Sequence, residues 1–87
     1  MPDNLDERER TVLLAVRQRV WAGHQDFELQ EIADGAGLEL TEVVRVTEAL
    51  ERVGYLKLIR DFGPGATWVI LERDISDEAR RAIGDWS

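Results

Sequence analysis

Two stretches with a helical repeat each end at a glycine, and two β-type runs follow the second of them. Apolar residues spaced three and four apart predict helices over residues 29–35 and 42–53. Gly37 and Gly54 follow these stretches, at positions where a left-handed residue commonly ends a helix. Residues 55–71 alternate around a Gly-Pro-Gly turn, which is typical of a β-hairpin. This order indicates a small α+β fold.

Further elements are predicted on both sides of this region. A first helix over 5–22 has Asp3 or Asn4 as its cap, and residues 26–28 read as a short strand. Thr41 is expected to cap the third helix, and Ser76 to cap a last helix over 76–86. The periodicity predicts these core residues on the first and third helices: Leu5, Val12, Leu13, Val16, Val20, Val43, Val46, Thr47, Leu50 and Val53.

Composition limits the classes of function. The chain has 87 residues, enough for one domain, and a net charge of −7. It has no cysteine, and no apolar run approaches the roughly 18 residues of a membrane span, so we expect a cytoplasmic protein without a membrane partner. His24 stands alone and no serine has an evident base beside it, so neither an enzyme, a metal site nor a cofactor is expected.

Two segments carry a family resemblance. Leu29-Gln30-Glu31-Ile32-Ala33 and the run Leu50-Glu51-Arg52-Val53-Gly54-Tyr55-Leu56 resemble the second and third helices of winged helix-turn-helix regulators of bacteria, in the MarR- and ArsR-like style. The resemblance implies that the third helix enters the major groove of double-stranded DNA and that the hairpin, or wing, touches the backbone. Carried onto this sequence, it implies these DNA-binding residues: Thr41, Arg45, Arg52, Lys57 and Arg60.

The charge pattern departs from that family. Residues 28–54 hold seven acidic and two basic residues, and Glu28 stands where such proteins usually have a Ser or Thr cap. Glu48 is close enough in sequence to pair with Arg45 or with Arg52. An alternative function is therefore a protein-interaction module, or an acidic decoy of a basic partner. It would use Val44, Phe62 or the stripe formed by Leu14 and Trp21 as an apolar anchor.

The first helix also has a second apolar stripe, Leu14 and Trp21, opposite its core face. Three interpretations remain open. The last helix folds back over the stripe with Ala79, Ile83 and Trp86, or the stripe is exposed to solvent or a foreign partner. In the third, a homodimer forms across the first and last helices, through Leu14, Trp21, Ile83 and Trp86.

Overall fold

The computed structural model describes residues 5–60 and 68–84. Within these ranges the protein has an α+β fold, with four α-helices and a three-stranded antiparallel sheet. The elements are α1 (Glu7–Trp21), β1 (Asp26–Glu28), α2 (Leu29–Ala36), α3 (Leu40–Arg52), β2 (Leu58–Arg60), β3 (Trp68–Leu71), a 3₁₀ turn (Glu72–Asp74) and α4 (Asp77–Ile83). This order is compatible with a winged-helix arrangement.

The first helix begins two residues later than predicted because Asp6 provides its cap. The Asp6 carboxylate accepts the Glu9 N–H at 2.8 Å, and the Glu9 carboxylate accepts the Asp6 N–H at 3.0 Å. This reciprocal pair satisfies N–H groups that have no partner inside the helix. The prediction that Asp3 or Asn4 caps the helix is therefore wrong, and both of those residues lie outside the described ranges.

The third helix begins earlier than predicted. Glu39 is its N-cap residue and its backbone carbonyl accepts the Val43 N–H at 3.0 Å, so Thr41 lies inside the first turn and does not cap the helix. At the other end, Gly54 has φ +84°, as predicted for a left-handed residue after a helix. The preceding helix runs one residue further than predicted, to Ala36, before Gly37 turns the chain at φ +71°.

The sheet has the strand order β1-β3-β2, and both pairings are antiparallel. The short strand at 26–28 and the pairing of two later strands confirm the sequence prediction. The first strand of the hairpin predicted at 55–71 begins at Leu58, three residues later than predicted, and the turn, with Phe62, lies outside the described ranges. Phe27, Ile70 and Leu58 stand side by side across the three strands and are all buried, so this face of the sheet covers the helices.

One core joins the helices to the sheet. Its largest fully buried side chains are Val12, Leu13, Val16, Phe27, Ile32, Val43, Thr47, Leu50 and Ile70. Thr47 is accommodated there because its hydroxyl donates to the Val43 carbonyl at 2.8 Å. The prediction that Val53 is buried is wrong, since 63% of it is exposed. Val53 follows the last helical residue, where the chain leaves the helix axis. Leu5 and Val20 are only partly buried.

The last helix is shorter than the predicted 76–86. Ser76 caps it as predicted, because its hydroxyl accepts the Ala79 N–H at 3.1 Å. Ala79 is buried and Ile83 packs against the core, so the apolar stripe of this helix points inward. The helix ends at Ile83, and Trp86 lies outside the described ranges.

Candidate functional site

The outward face of α3 is the candidate site. Thr41, Arg45 and Arg52 are exposed on this helix, while Val44 and Glu48 on the same side are partly buried. Their spacing of three and four residues places them along one stripe, opposite the buried Val43, Val46 and Leu50. The helix therefore divides into a core face and a polar face as its sequence predicts.

The two carboxylates three residues from Arg45 along α3, Glu42 and Glu48, are paired with other cations. Glu42 lies 3.3 Å from Arg8 of α1, and Glu48 lies 3.8 Å from the Arg60 guanidinium of β2. The prediction that Glu48 pairs with Arg45 or Arg52 is therefore wrong. Among residues 5–60 and 68–84, the Arg45 guanidinium has no ion pair and no hydrogen bond, so its charge is available to a ligand.

Arg60 lies in a cluster with Glu48, Glu51 and Trp68, which we call the Arg60 cluster. Its guanidinium donates to the Glu51 carboxylate at 3.1 Å, and its central carbon lies 5.1 Å from the centre of the Trp68 ring. Trp68 is the cross-strand neighbour of Arg60, which explains the stacking. The cluster ties the two paired strands β2 and β3 to the C-terminal half of α3.

Glu51 also receives a backbone hydrogen bond. The Leu58 N–H donates to its carboxylate at 3.0 Å, at the first residue of β2. This N–H, and after it the Arg60 guanidinium, lowers the pKa of Glu51 below its ordinary value of 4.5, against the opposing effect of partial burial. Glu51 therefore stays ionised at neutral pH and fixes where β2 starts relative to α3.

The five predicted DNA-binding residues have different surroundings. Arg45, Arg52 and Lys57 are exposed, and Thr41 is exposed in the first turn of α3. Arg60 is half-buried between carboxylates. The sequence did not predict two contacts of α3: Glu42 pairs with Arg8 of α1, 34 residues away, and Glu51 pairs with Arg60 of β2, nine residues away. No pattern in the nearby sequence predicts either contact, because both depend on how the elements pack.

Charge around α3 is nearly balanced in space, although the surrounding sequence is acidic. The charged residues on α3, at its N-cap and in contact with them are Glu39, Glu42, Glu48, Glu51, Arg8, Arg45, Arg52, Lys57 and Arg60. Five cations thus face four carboxylates, and Asp6 and Glu9 at the start of α1 border the same surface pocket as Arg45, so the formal charge around the helix is −1 in a chain of net −7. Most of the acidic excess lies on other elements.

The beginning of α2 is one of those acidic elements. Glu28 is its N-cap residue, and the Glu31 carboxylate accepts the Glu28 N–H at 3.1 Å. Glu31 also lies 3.8 Å from Arg19 of α1. These carboxylates compete with an external anion for the positive end of the helix. The α2 N-terminus therefore does not favour a phosphate.

The second stripe of α1 is covered in part. The Arg17 guanidinium lies 4.4 Å from the centre of the Trp21 ring and donates to the Gly84 carbonyl at 2.7 Å. Arg10 likewise donates to the Ala82 carbonyl at 3.5 Å, so two arginines of α1 hold the end of α4. Leu14 is partly buried, but 45% of Trp21 remains exposed among the described residues. The last helix folds back along α1 without burying Trp21.

Other types of site find no support in the part of the chain that the structure describes. No group of three or more His, Cys, Asp or Glu side chains there has the arrangement of a metal site. No helix in that part is both long enough and apolar enough to cross a membrane. His24 is exposed in the turn after α1.

Comparisons with known proteins do not assign a family. No protein-family model matches the chain, and neither the curated proteins nor the solved structures contain a significant match to it.

Proposed function

We propose that this chain is a winged-helix, DNA-binding transcriptional regulator without enzymatic activity. Its helices α1 to α3, followed by the paired strands β2 and β3, would form the winged helix-turn-helix, with α3 in the major groove of double-stranded DNA. The strand order β1-β3-β2 and the glycine-ended helices α2 and α3 support this fold. As a DNA-binding protein of a bacterium, it would act in the cytoplasm.

One observation carries the proposal. Arg45 projects from the outward face of α3 while both neighbouring carboxylates, Glu42 and Glu48, are paired with other cations. A guanidinium in this position forms bidentate hydrogen bonds with a guanine edge or contacts a phosphate. Thr41, one turn earlier, would donate its hydroxyl to a phosphate, and Arg52 and Lys57 would contact the backbone.

The decisive test exchanges the charge of Arg45. We expect the native protein to shift a mixed-sequence duplex at low salt, and the affinity to fall steeply as salt rises, because few phosphate contacts oppose a net charge of −7. Arg45→Glu should abolish the shift. Arg81→Glu on the exposed side of α4 makes the same change in net charge and should leave most of the affinity. Equal losses in both variants would mean that α3 is not the binding surface.

Homodimerisation forms part of the proposal. A two-fold dimer would place two copies of Arg45 on one duplex, in keeping with two-fold operators. The exposed Trp21, two turns after the partly buried Leu14 on the same face of α1, offers an apolar contact. Ile83, which packs partly against the core at the end of α4, and Trp86 would extend it. We expect a dimeric mass in solution that Trp21→Ala lowers and that Val53→Ala, at the end of α3, leaves unchanged. A monomeric native mass would contradict the dimer.

The acidic start of α2 favours a second candidate function, a protein-interaction module or decoy for a basic partner. Glu28 and Glu31 stand where a phosphate-binding protein needs free N–H groups. Leu40, Val53 and Ile59 are exposed and would provide apolar contacts within an acidic rim. Failure of the native protein to shift any duplex at low salt, together with binding to a Lys- and Arg-rich peptide, would favour this function over DNA binding.

A further inference from the structure

We propose that Arg60 is an internal counter-ion for Glu48 and Glu51. By neutralising these carboxylates it reduces their repulsion of DNA phosphates at α3, and it does not itself contact DNA. The inference builds on the proposed function. It gives Arg60 a positioning role, in contrast to the phosphate contact that the family resemblance implies for it.

The guanidinium of Arg60 has four neighbours among the described residues. It donates to Glu51 at 3.1 Å and to the Leu58 carbonyl at 3.5 Å, and it lies 3.8 Å from the Glu48 carboxylate. The Trp68 ring covers one of its faces at 5.1 Å. A phosphate contact would have to replace this set and would leave two carboxylates unpaired beside the phosphate. The arrangement favours a guanidinium that remains where it is.

The two carboxylates lie on α3 near Arg45, where an unpaired negative charge would weaken DNA binding. Glu48 lies one helical turn after Arg45 on the same face, and its side chain is 42% exposed. The pKa of Glu51 is lowered, mainly by the Leu58 N–H, so that carboxylate stays charged at neutral pH. Without Arg60, the Glu48 charge would face the phosphates that approach Arg45, and the Glu51 charge would lie one turn further along α3, where it adds to the repulsion between like charges.

A double-mutant cycle on DNA binding tests this role. The native protein, Arg60→Gln, the double variant Glu48→Gln with Glu51→Gln, and the triple variant are titrated against a mixed-sequence duplex of about 20 base pairs, two helical turns. We expect Arg60→Gln to weaken binding in the native background. In the background without the two carboxylates, the same change should alter the affinity by less than about twofold, the range within which independent changes add.

The salt dependence of the affinity separates a counter-ion from a phosphate ligand. A lost phosphate contact reduces the slope of log affinity against log salt by about 0.9. We expect no such reduction when Arg60 is changed in the background without the carboxylates. A reduction of that size there would overturn the inference and leave the proposed function intact. Glu78→Gln, on the exposed side of α4, is the control for a change of net charge alone.

The folding of each variant is the control for this cycle. Circular dichroism checks that each variant is folded, and if Glu51→Gln unfolds the protein, the cycle is repeated with Glu48→Gln alone, whose carboxylate accepts no backbone hydrogen bond in the described residues. If neither the native protein nor any variant binds the duplex at low salt, both this role and the proposed function are overturned. If only Arg45→Glu abolishes binding and Arg60→Gln has no effect in the native background, the role alone is overturned.

Discussion

Arg45 and Arg60 carry the same side chain, but their surroundings separate them. Arg45 is exposed on α3 with no ion pair among the described residues, whereas Arg60 is half-buried between Glu48 and Glu51. The sequence predicted one role, DNA contact, for both. Residue type sets what a guanidinium can bind, and the neighbours that packing brings decide whether it is available.

Gly35 within α2 and Gly37 just after it should respond in opposite ways to substitution by alanine. Gly37 has φ +71° with no atom within 4 Å of an added Cβ, so Gly37→Ala should lower the free energy of unfolding by roughly 1 kcal/mol through backbone strain alone. Gly35 is helical, and its added Cβ would meet the Ala15 Cβ at an ordinary 3.8 Å. Gly35→Ala should raise stability by about 0.5–1 kcal/mol. Chemical denaturation measures both, and equal signs would contradict the assigned conformations.

Glu51 makes stability depend on pH. Its pKa is lower in the folded protein than its ordinary value, mainly because of the Leu58 N–H, so its ionised form stabilises the fold above that value. This contribution is lost as pH falls through the folded-state pKa. Glu51→Gln should therefore be less stable than the native protein at about pH 7, and the difference should shrink towards about pH 2. Glu78→Gln should show no comparable change, and a constant gap for Glu51→Gln would refute the assignment.

At the scale of elements, the start of each helix depends on its N-cap residue. The sequence pattern predicts that residue only to within a few positions. The core periodicity of α1 and α3 is as predicted, but the helices begin at Glu7 and Leu40 because Asp6 and Glu39 are the N-cap residues. Several Asp, Asn, Glu and Thr residues stand near each predicted start. Which of them caps depends on the backbone angle at which the chain enters the helix, and that angle follows from packing.

The cap of α1 can be tested directly. Asp6→Ala removes the acceptor of the Glu9 N–H and should reduce the free energy of unfolding by about 1 kcal/mol, the usual cost of losing a cap. Gln18→Ala, at an exposed position within the same helix, should change stability by at most a few tenths of a kcal/mol. Thermal unfolding followed by circular dichroism provides the comparison. A neutral Asp6→Ala would show that the helix begins elsewhere.

The whole molecule has one core, and two residues near the end of α3 test its extent. Leu50 is fully buried, so Leu50→Ala should destabilise the protein by roughly 2–5 kcal/mol, a large share of the stability of a small domain. Val53 was expected on the same buried face, yet 63% of it is exposed. Val53→Ala should therefore change the free energy of unfolding by less than about 0.5 kcal/mol. Similar losses for the two variants in urea denaturation would place Val53 in the core.

The charges of the whole molecule are unevenly distributed. The net charge of −7 and the acidic run around α2 argue against nucleic acid, but Arg8 from α1 and Arg60 from β2 neutralise carboxylates of α3. Since exposed charges are screened over about 8–10 Å in physiological salt, the balance near α3 matters more to a ligand there than the total. The proposed DNA contact depends on this local balance.

The sequence by itself determined the α+β class, the buried faces of α1 and α3, the glycine that ends α3 and the short β1 strand. These features follow from periodicity and backbone preference, which act between residues close in the chain. Only the tertiary structure decided that Glu42 pairs with Arg8, that Glu48 and Glu51 hold Arg60, and that Val53 is exposed. Each of these depends on the distance and direction between packed elements, which local sequence does not encode.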